Sequence, residues 1–281
     1  MADVHPSAIV ESGAKIADGV KIGPFCIIGR EVELGEGCEL ISHVVIQNKV
    51  KIGKNNRFFP YACLGMEAQD LHFDNFAGHI EVGDNNVFRE YFNTHLPKIK
   101  DGVTKIGSNG YFMANSHIAH DCIVGDNVIL VNYAGLAGHV EIGNNALISG
   151  VSMVHQFCRV GEYAIVGGVT KVTRDVPPYC MANGNPASIP GLNIVGLKRS
   201  GMSAAERSII KKAFQIFFLQ NRSVSGAIEG LKELAKTIPD SETAQKSRLT
   251  SFIEFVAGGK RGIAAHSSNV RSGAGDDLSV E

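Results

Sequence analysis

Written in sixes, residues 122–145 read CIVGDN VILVNY AGLAGH VEIGNN. The third place of each hexad is aliphatic, at Val124, Leu130, Leu136 and Ile142, and the first is small or slim, at Cys122, Val128, Ala134 and Val140. A helix repeats near 3.6 residues and a half-buried strand every two, so a strict period of six belongs to neither alone. Working outward, the aliphatic position recurs backward through Ile118, Phe112 and Ile106 and forward through Ile148, Val154, Val160, Val166 and Val172. An earlier run keeps the same step from Val10, Ile16 and Ile22 to Phe58 and Leu64, and resumes at Val82 and Phe88. A large and a small inward residue in each hexad predict a parallel β-helix, three hexads closing one triangular coil of eighteen residues. Glycine often follows the aliphatic residue, as at Gly23, Gly35, Gly125, Gly143 and Gly161, where it is expected to give tight corners their permissive backbone.

The rhythm lapses near 66–79, a stretch with Gln69, Asp70, His72 and Asp74, and again near 96–103. Asp70 and Lys100 would fall at core positions, so both stretches are expected to leave the coil as loops, although the spacing across each stays a multiple of six. Asp175-Val176-Pro177-Pro178 marks an exit, which puts the β-helix at 1–186. A C-terminal α-helical domain is expected over 187–263. A capping box at Ser203 and Glu206 opens a run through Phe217, followed by helices at Val224 to Lys236 and Ser241 to Val256. Residues 264–281, rich in Ser, Gly and Asp, have the composition of a disordered tail.

Composition excludes several classes of function. A net charge of -1, with Lys and Arg spread thinly, leaves no footprint for nucleic acid. No window reaches about 18 consecutive apolar residues, and the first residues lack the pattern of a signal peptide, so a cytoplasmic protein without a membrane span is expected. None of the six cysteines forms a Cys-x-x-Cys pair. Cys26, Cys38, Cys122 and Cys158 take the small inward place, which predicts inert core thiols and turns Cys122 away from its neighbour His120.

Stacking lets chemistry be read from spacing, because residues eighteen apart lie one above another at about 4.8 Å. His120, Gly138 and Gln156 then form one column, Asp121, His139 and Phe157 the next, and Ala119, Ala137 and His155 the one before. With His117, four of the ten histidines meet on one edge around the Asp121 carboxylate. A neutral imidazole serves as a general base near pH 7 when a carboxylate orients it, and a glycine alongside offers an unhindered N–H to an oxyanion. No activated Ser or Cys nucleophile is evident, which favours direct transfer to a bound hydroxyl or amine.

His117-Ile118-Ala119-His120-Asp121-Cys122, Leu136-Ala137-Gly138-His139-Val140, Val154-His155-Gln156-Phe157-Cys158, Asp175-Val176-Pro177-Pro178-Tyr179 and the stretch Asn193 to Arg199, in this order, resemble the bacterial UDP-N-acetylglucosamine O-acyltransferases of lipid A synthesis. The resemblance covers residues 1 to about 258. It implies a left-handed solenoid, a homotrimer with its site between subunits, and transfer of a fatty, 3-hydroxyacyl group from acyl carrier protein to the 3-hydroxyl of a UDP-amino sugar, with no cofactor and no metal. His120 would be the base, Asp121 its orienting partner and Gly138 the oxyanion position. His139, His155 and Gln156 match substrate-contacting positions, and His117 shares their edge. Asn193 and Arg199 match nucleotide contacts, Asp70 lies in the sugar-binding loop, and Gly168 matches the far end of the acyl groove. Lys198, Arg199, Lys211 and Lys212 would face acidic acyl carrier protein.

Three departures leave the acceptor open. The family's first loop usually reads Asp-Leu-Lys-Tyr, whereas this chain has Asp70-Leu71-His72-Phe73, and Val195 and Ser200 intervene where a glutamate and a further basic residue are usual. N-acyl transfer to a UDP-diamino sugar is therefore an alternative. A γ-type carbonic anhydrase, which shares the fold and holds a metal on three histidines, is a more distant one.

Overall fold

The computed structural model describes residues 1–73, 78–220 and 222–267. Short strands form three sheets of 11, 9 and 8 strands, and through the solenoid successive strands go to different sheets and pair in parallel with the coils above and below. The register follows the eighteen-residue coil, with Ile118 beside Leu136, Val124 beside Ile142 and Leu130 beside Ile148. Ile28, Leu64, Leu130 and Val166 are 0% exposed. Each such side chain stabilises the solenoid by about 1.5–3 kcal/mol relative to exposure. In the middle of the core Phe58, Phe88 and Phe112 stack at 4.8 and 5.0 Å between ring centres. At the N-terminal end no described residue covers the first coil, and Val10 and Ile16 are only partly buried.

The two interruptions are loops, and their lengths are now fixed. Phe58 pairs with Phe88 and Val82 with Ile106, separations of thirty and twenty-four where an undisturbed coil gives eighteen. The first loop follows the strand Cys63–Met66 and returns at His79–Val82, and the second lies between Asn93–His95 and Val103–Ile106. Of the loop residues named above, Asp74 lies outside the described residues.

The glycines after the aliphatic positions act differently from the expectation. Residues with positive φ come two places later, and they are mostly not glycine: Phe25, His43, Tyr61, Asp121 and His139 among them. Gly23 and Gly35 are needed because the next coil lies against them. A Cβ on Gly23 would come 1.9 Å from the carbonyl oxygen of Ile41, and one on Gly35 would come 2.4 Å from that of Gly53.

Beyond the last coil the strand Cys180–Asn183 turns back antiparallel into Ser188–Leu192. Four helices follow: α1 (Ile194–Arg199), α2 (Ala204–Phe214), α3 (Val224–Lys236) and α4 (Thr243–Ala257). The Ser203 and Glu206 side chains cap each other's backbone as the sequence predicts, and a wider π turn at Gln215–Leu219 prolongs α2. Helix α1 was not expected; Asn193 starts it by accepting from the Gly196 N–H at 3.0 Å. Glu206 on α2 takes the Arg248 guanidinium of α4 at 3.1 Å, which locks the two helices together.

Of the residues expected to form a loose tail, 264–266 are instead held, and 268–281 lie outside the described residues. After α4 the chain returns to the solenoid, where Asp175 bridges Ile263 and Ile189 bridges His266. The Ala264 N–H donates to the Asp175 carbonyl, and Ala264 is buried at 2% exposure. Residues 262–266 thus add one more rung to sheet edges that would otherwise end unpaired. Arg159 anchors this return through the buried Asp175 carboxylate at 2.9 Å and the carbonyls of Phe255 and Gly258 at 2.7 Å.

Candidate active site

Paired strands His117–Ile118, Gly135–Leu136 and Met153–Val154 run to one corner of the solenoid. They turn it through Asp121, His139 and Phe157, at φ of 58°, 60° and 64°. This left-handed region is uncommon for side-chain-bearing residues, and cross-coil bonds hold it here. The His139 N–H donates to the His120 carbonyl at 3.1 Å and the Phe157 N–H to that of Gly138 at 3.2 Å. The expected columns are therefore real: the His139 and Phe157 rings stack at 4.6 Å, and His120 meets His139 edge-on at 5.2 Å.

His120 sits between a carboxylate and a glycine. Its Nδ1 lies 2.8 Å from Asp121 Oδ2. A Cβ on Gly138 would come 2.4 Å from His120 Cε1, so only glycine leaves room for the ring. Among the described residues the Gly138 N–H has no acceptor. Burial raises the Asp121 pKa, but hydrogen bonds from His120 and from the Lys98 and Ile99 N–H groups, with the nearby His139, outweigh it and hold the carboxyl below its ordinary value. An ionised carboxylate only accepts, so the His120 proton rests on Nδ1 and the Nε2 lone pair is available. His139 Nε2 lies 3.9 Å from the same carboxylate oxygen.

His120, Asp121 and His139 bring three potential metal-ligating atoms within 4.8 Å of one another. An ion there would have to displace the His120–Asp121 hydrogen bond and compete with the Lys98 N–H, which donates to the same oxygen at 2.9 Å. The geometry suits a proton relay better than a metal.

The other expected residues fall into separate groups. His117 is held by Asn93 Oδ1 at 2.6 Å. Burial, then the charges of His95 and His120, push its pKa down to about 4, so it is neutral near pH 7. His155 Nδ1 lies 3.2 Å from the Gln156 carbonyl, and Gln156 is exposed beside it. The Asp70 carboxylate is joined to the Lys98 ammonium at 2.9 Å and also accepts from the His72 N–H at 2.8 Å, while the His72 side chain is exposed. Asn193 and Arg199 make none of the contacts that join the histidines. Asn193 spends its amide on the α1 cap and on the Tyr163 carbonyl at 2.9 Å, and Arg199 is exposed on the last turn of α1. At Gly168 an added Cβ would meet only the Gly150 carbonyl at 3.6 Å, an ordinary contact, so the fold itself does not demand glycine there.

Sequence reasoning missed Lys98 and Arg261. Lys98 joins the two loops to Asp121 through its backbone and to Asp70 through its ammonium. Arg261, on the returning segment, reaches His155 Nδ1 at 3.2 Å. Neither lies at a repeat position, so periodicity gave no signal for them. Cys122 behaves as expected: it is fully buried, its Sγ donates to the Ala137 carbonyl, and burial pushes its pKa up to about 12.

A parallel solenoid with a histidine–carboxylate pair at its corner defines a class, the hexapeptide-repeat transferases, and the family described as bacterial transferase hexapeptide matches residues 104–138. The family described as Udp N-acetylglucosamine O-acyltransferase, domain 2, matches residues 175–264. The acyl-[acyl-carrier-protein]--UDP-N-acetylglucosamine O-acyltransferase of Thermodesulfovibrio yellowstonii is 44% identical over 264 residues, 94% of this chain and 99% of that protein. The solved UDP-N-acetylglucosamine acyltransferase of Francisella novicida is 38% identical with a TM-score of 0.86, covering 95% of each chain. The Acinetobacter baumannii structure is 39% identical with a TM-score of 0.86, covering 93% of this chain and 99% of its own. The chain belongs to the UDP-N-acetylglucosamine O-acyltransferase family, and its coils wind left-handed.

Proposed function

We propose that this protein transfers a fatty acyl group, a 3-hydroxyacyl group in our reading, from acyl carrier protein to the 3-hydroxyl of UDP-N-acetylglucosamine, the first step of lipid A synthesis. The observation that carries this is the His120 ring, held by Asp121 at 2.8 Å and lying over Gly138. His120 Nε2 takes the proton of the sugar hydroxyl as its oxygen attacks the thioester carbon. The Gly138 N–H receives the oxyanion, and the C–S bond then breaks, the carrier thiolate leaving with the proton from His120. The ion pair with Asp121 stabilises the imidazolium formed between these steps. A thioester brings its own leaving group, so the reaction needs no cofactor and no metal.

The remaining assignments follow from position. Asp70, His72, His117, His139, His155 and Gln156 would contact the acceptor, and Asn193 and Arg199 the nucleotide through α1. Gly168, free to carry a side chain, would leave room for the end of the acyl chain. Exposed Lys198, Arg199, Lys211 and Lys212 suit acidic acyl carrier protein. His139 is partly exposed and Phe157 is 41% exposed on an open edge, which suits a site completed by a second subunit of a homotrimer. No helix among the described residues is long and apolar enough to cross a membrane, and we place the enzyme in the cytoplasm.

Mass spectrometry of the products from a panel of acyl carrier protein thioesters and UDP-sugars tests this reading. An ester on UDP-N-acetylglucosamine is expected, and an amide formed only with a diamino sugar would replace the acceptor assignment. Gly168→Met should shift the preferred donor toward shorter chains, and an unchanged preference would remove Gly168 from the groove.

A further inference from the structure

Two histidines of the site meet opposite partners at the same ring nitrogen. His120 Nδ1 faces a carboxylate oxygen, Asp121 Oδ2 at 2.8 Å, while His155 Nδ1 faces a guanidinium nitrogen, Arg261 Nη2 at 3.2 Å. A guanidinium has five donors and no acceptor, and it stays protonated at all accessible pH. The contact with Arg261 is therefore a hydrogen bond only when His155 Nδ1 carries a lone pair. His155 Nδ1 also lies 3.2 Å from the Gln156 carbonyl oxygen, which only accepts and would need a proton on Nδ1. The two contacts exclude each other.

Arg261 is built in rather than loosely placed. Its Nη2 also donates to the Thr173 carbonyl at 3.4 Å, and its Nε is buried without a partner among the described residues. The added rung at Asp175 and Ile263 fixes its backbone. A guanidinium at this distance repels a second proton-bearing nitrogen.

We infer that Arg261 is a positioning residue that holds His155 as the neutral tautomer with its proton on Nε2, making it a hydrogen-bond donor to the acceptor substrate while His120 presents a lone pair. Asp121 and Arg261 would thus divide the two rings into a base and a donor. What the Nε2 proton meets rests on the acyl-transfer reading; the tautomer itself does not.

Solid-state nitrogen NMR of the whole protein labelled at histidine, with the His155 signal assigned by its loss in His155→Gln, reads the tautomer directly. At pH 7.5 we expect a protonated Nε2 and an unprotonated Nδ1, retained in Arg261→Lys and exchanged for a protonated Nδ1 in Arg261→Met. A protonated Nδ1 in the unaltered protein, or the same tautomer in Arg261→Met, would overturn the inference. In steady-state kinetics Arg261→Met should raise KM for the UDP-sugar roughly three- to tenfold, the effect of one lost hydrogen bond, with kcat nearly unchanged and Arg261→Lys restoring KM. A fall in kcat at constant KM would equally overturn it. If the unaltered protein acylates no UDP-sugar, the acyl-transfer reading fails while the nitrogen spectra still decide the tautomer.

Discussion

At the scale of single residues, the proposed chemistry depends on one imidazole placed by two neighbours. A sugar hydroxyl is far too weak an acid to ionise near pH 7, so attack on the thioester requires the base. His120→Ala is expected to lower kcat by about 10²–10⁴-fold with the fold retained. His139→Ala should act mainly on KM. Gly138→Ala should also lower kcat, because the new methyl group would occupy the space of the His120 ring. Retention of more than about a tenth of kcat by His120→Ala would show that the base is another group.

His117 gives a separate, thermodynamic signature. Its pKa falls from 6.5 to about 4 on folding, so between these values the unfolded chain binds the extra proton. Stability therefore rises with pH across this window and is lost as pH falls from 6.5 toward 4, by at most about 1.4 kcal/mol per pH unit. In His117→Asn the decline of the urea midpoint between pH 6.5 and 4.5 should be shallower, and equal slopes in the two proteins would rule His117 out as its source.

At the scale of elements, strand positions were legible because the same six-residue instruction is written many times and each copy is read locally. That repetition also predicted the histidine edge, since stacking converts a spacing of eighteen into contact. Loop paths and the returning segment carry no such repetition. Arg261 is 106 residues from His155, and nothing in the spacing links them. The glycines were located correctly but explained wrongly, because one sequence does not distinguish a backbone that must bend left-handed from one that another chain segment presses against. Helix α4 and the return after it depend on the buried Arg159–Asp175 pair, whose carboxylate is fully buried. Asp175→Ala leaves that guanidinium without its counter-charge and should cost about 3–5 kcal/mol, read as a lower urea midpoint. A change within about 0.5 kcal/mol would mean that the return segment is held by its backbone bonds alone.

At the scale of the whole molecule, the site lies on an edge rather than in an enclosed cleft, so a second copy is expected to cover it. Sedimentation at micromolar concentration should show a trimer, and a monomer that is still fully active would move the site's missing wall into the single chain. The sequence suggested this assembly only through resemblance, since flat solenoid faces by themselves do not say how many copies pack together. The rung formed by residues 262–266 has a consequence in time. Residues 258–266 leave the ribosome after every coil they cover, and Arg261 is among them. If the coils fold in the order they are made, a growing chain holds its histidine corner for many residues before the last rung arrives. Chains halted before residue 261 would carry His120 and Asp121 but not the cation beside His155, so the proposed donor half of the site would be set last, when Arg261 docks.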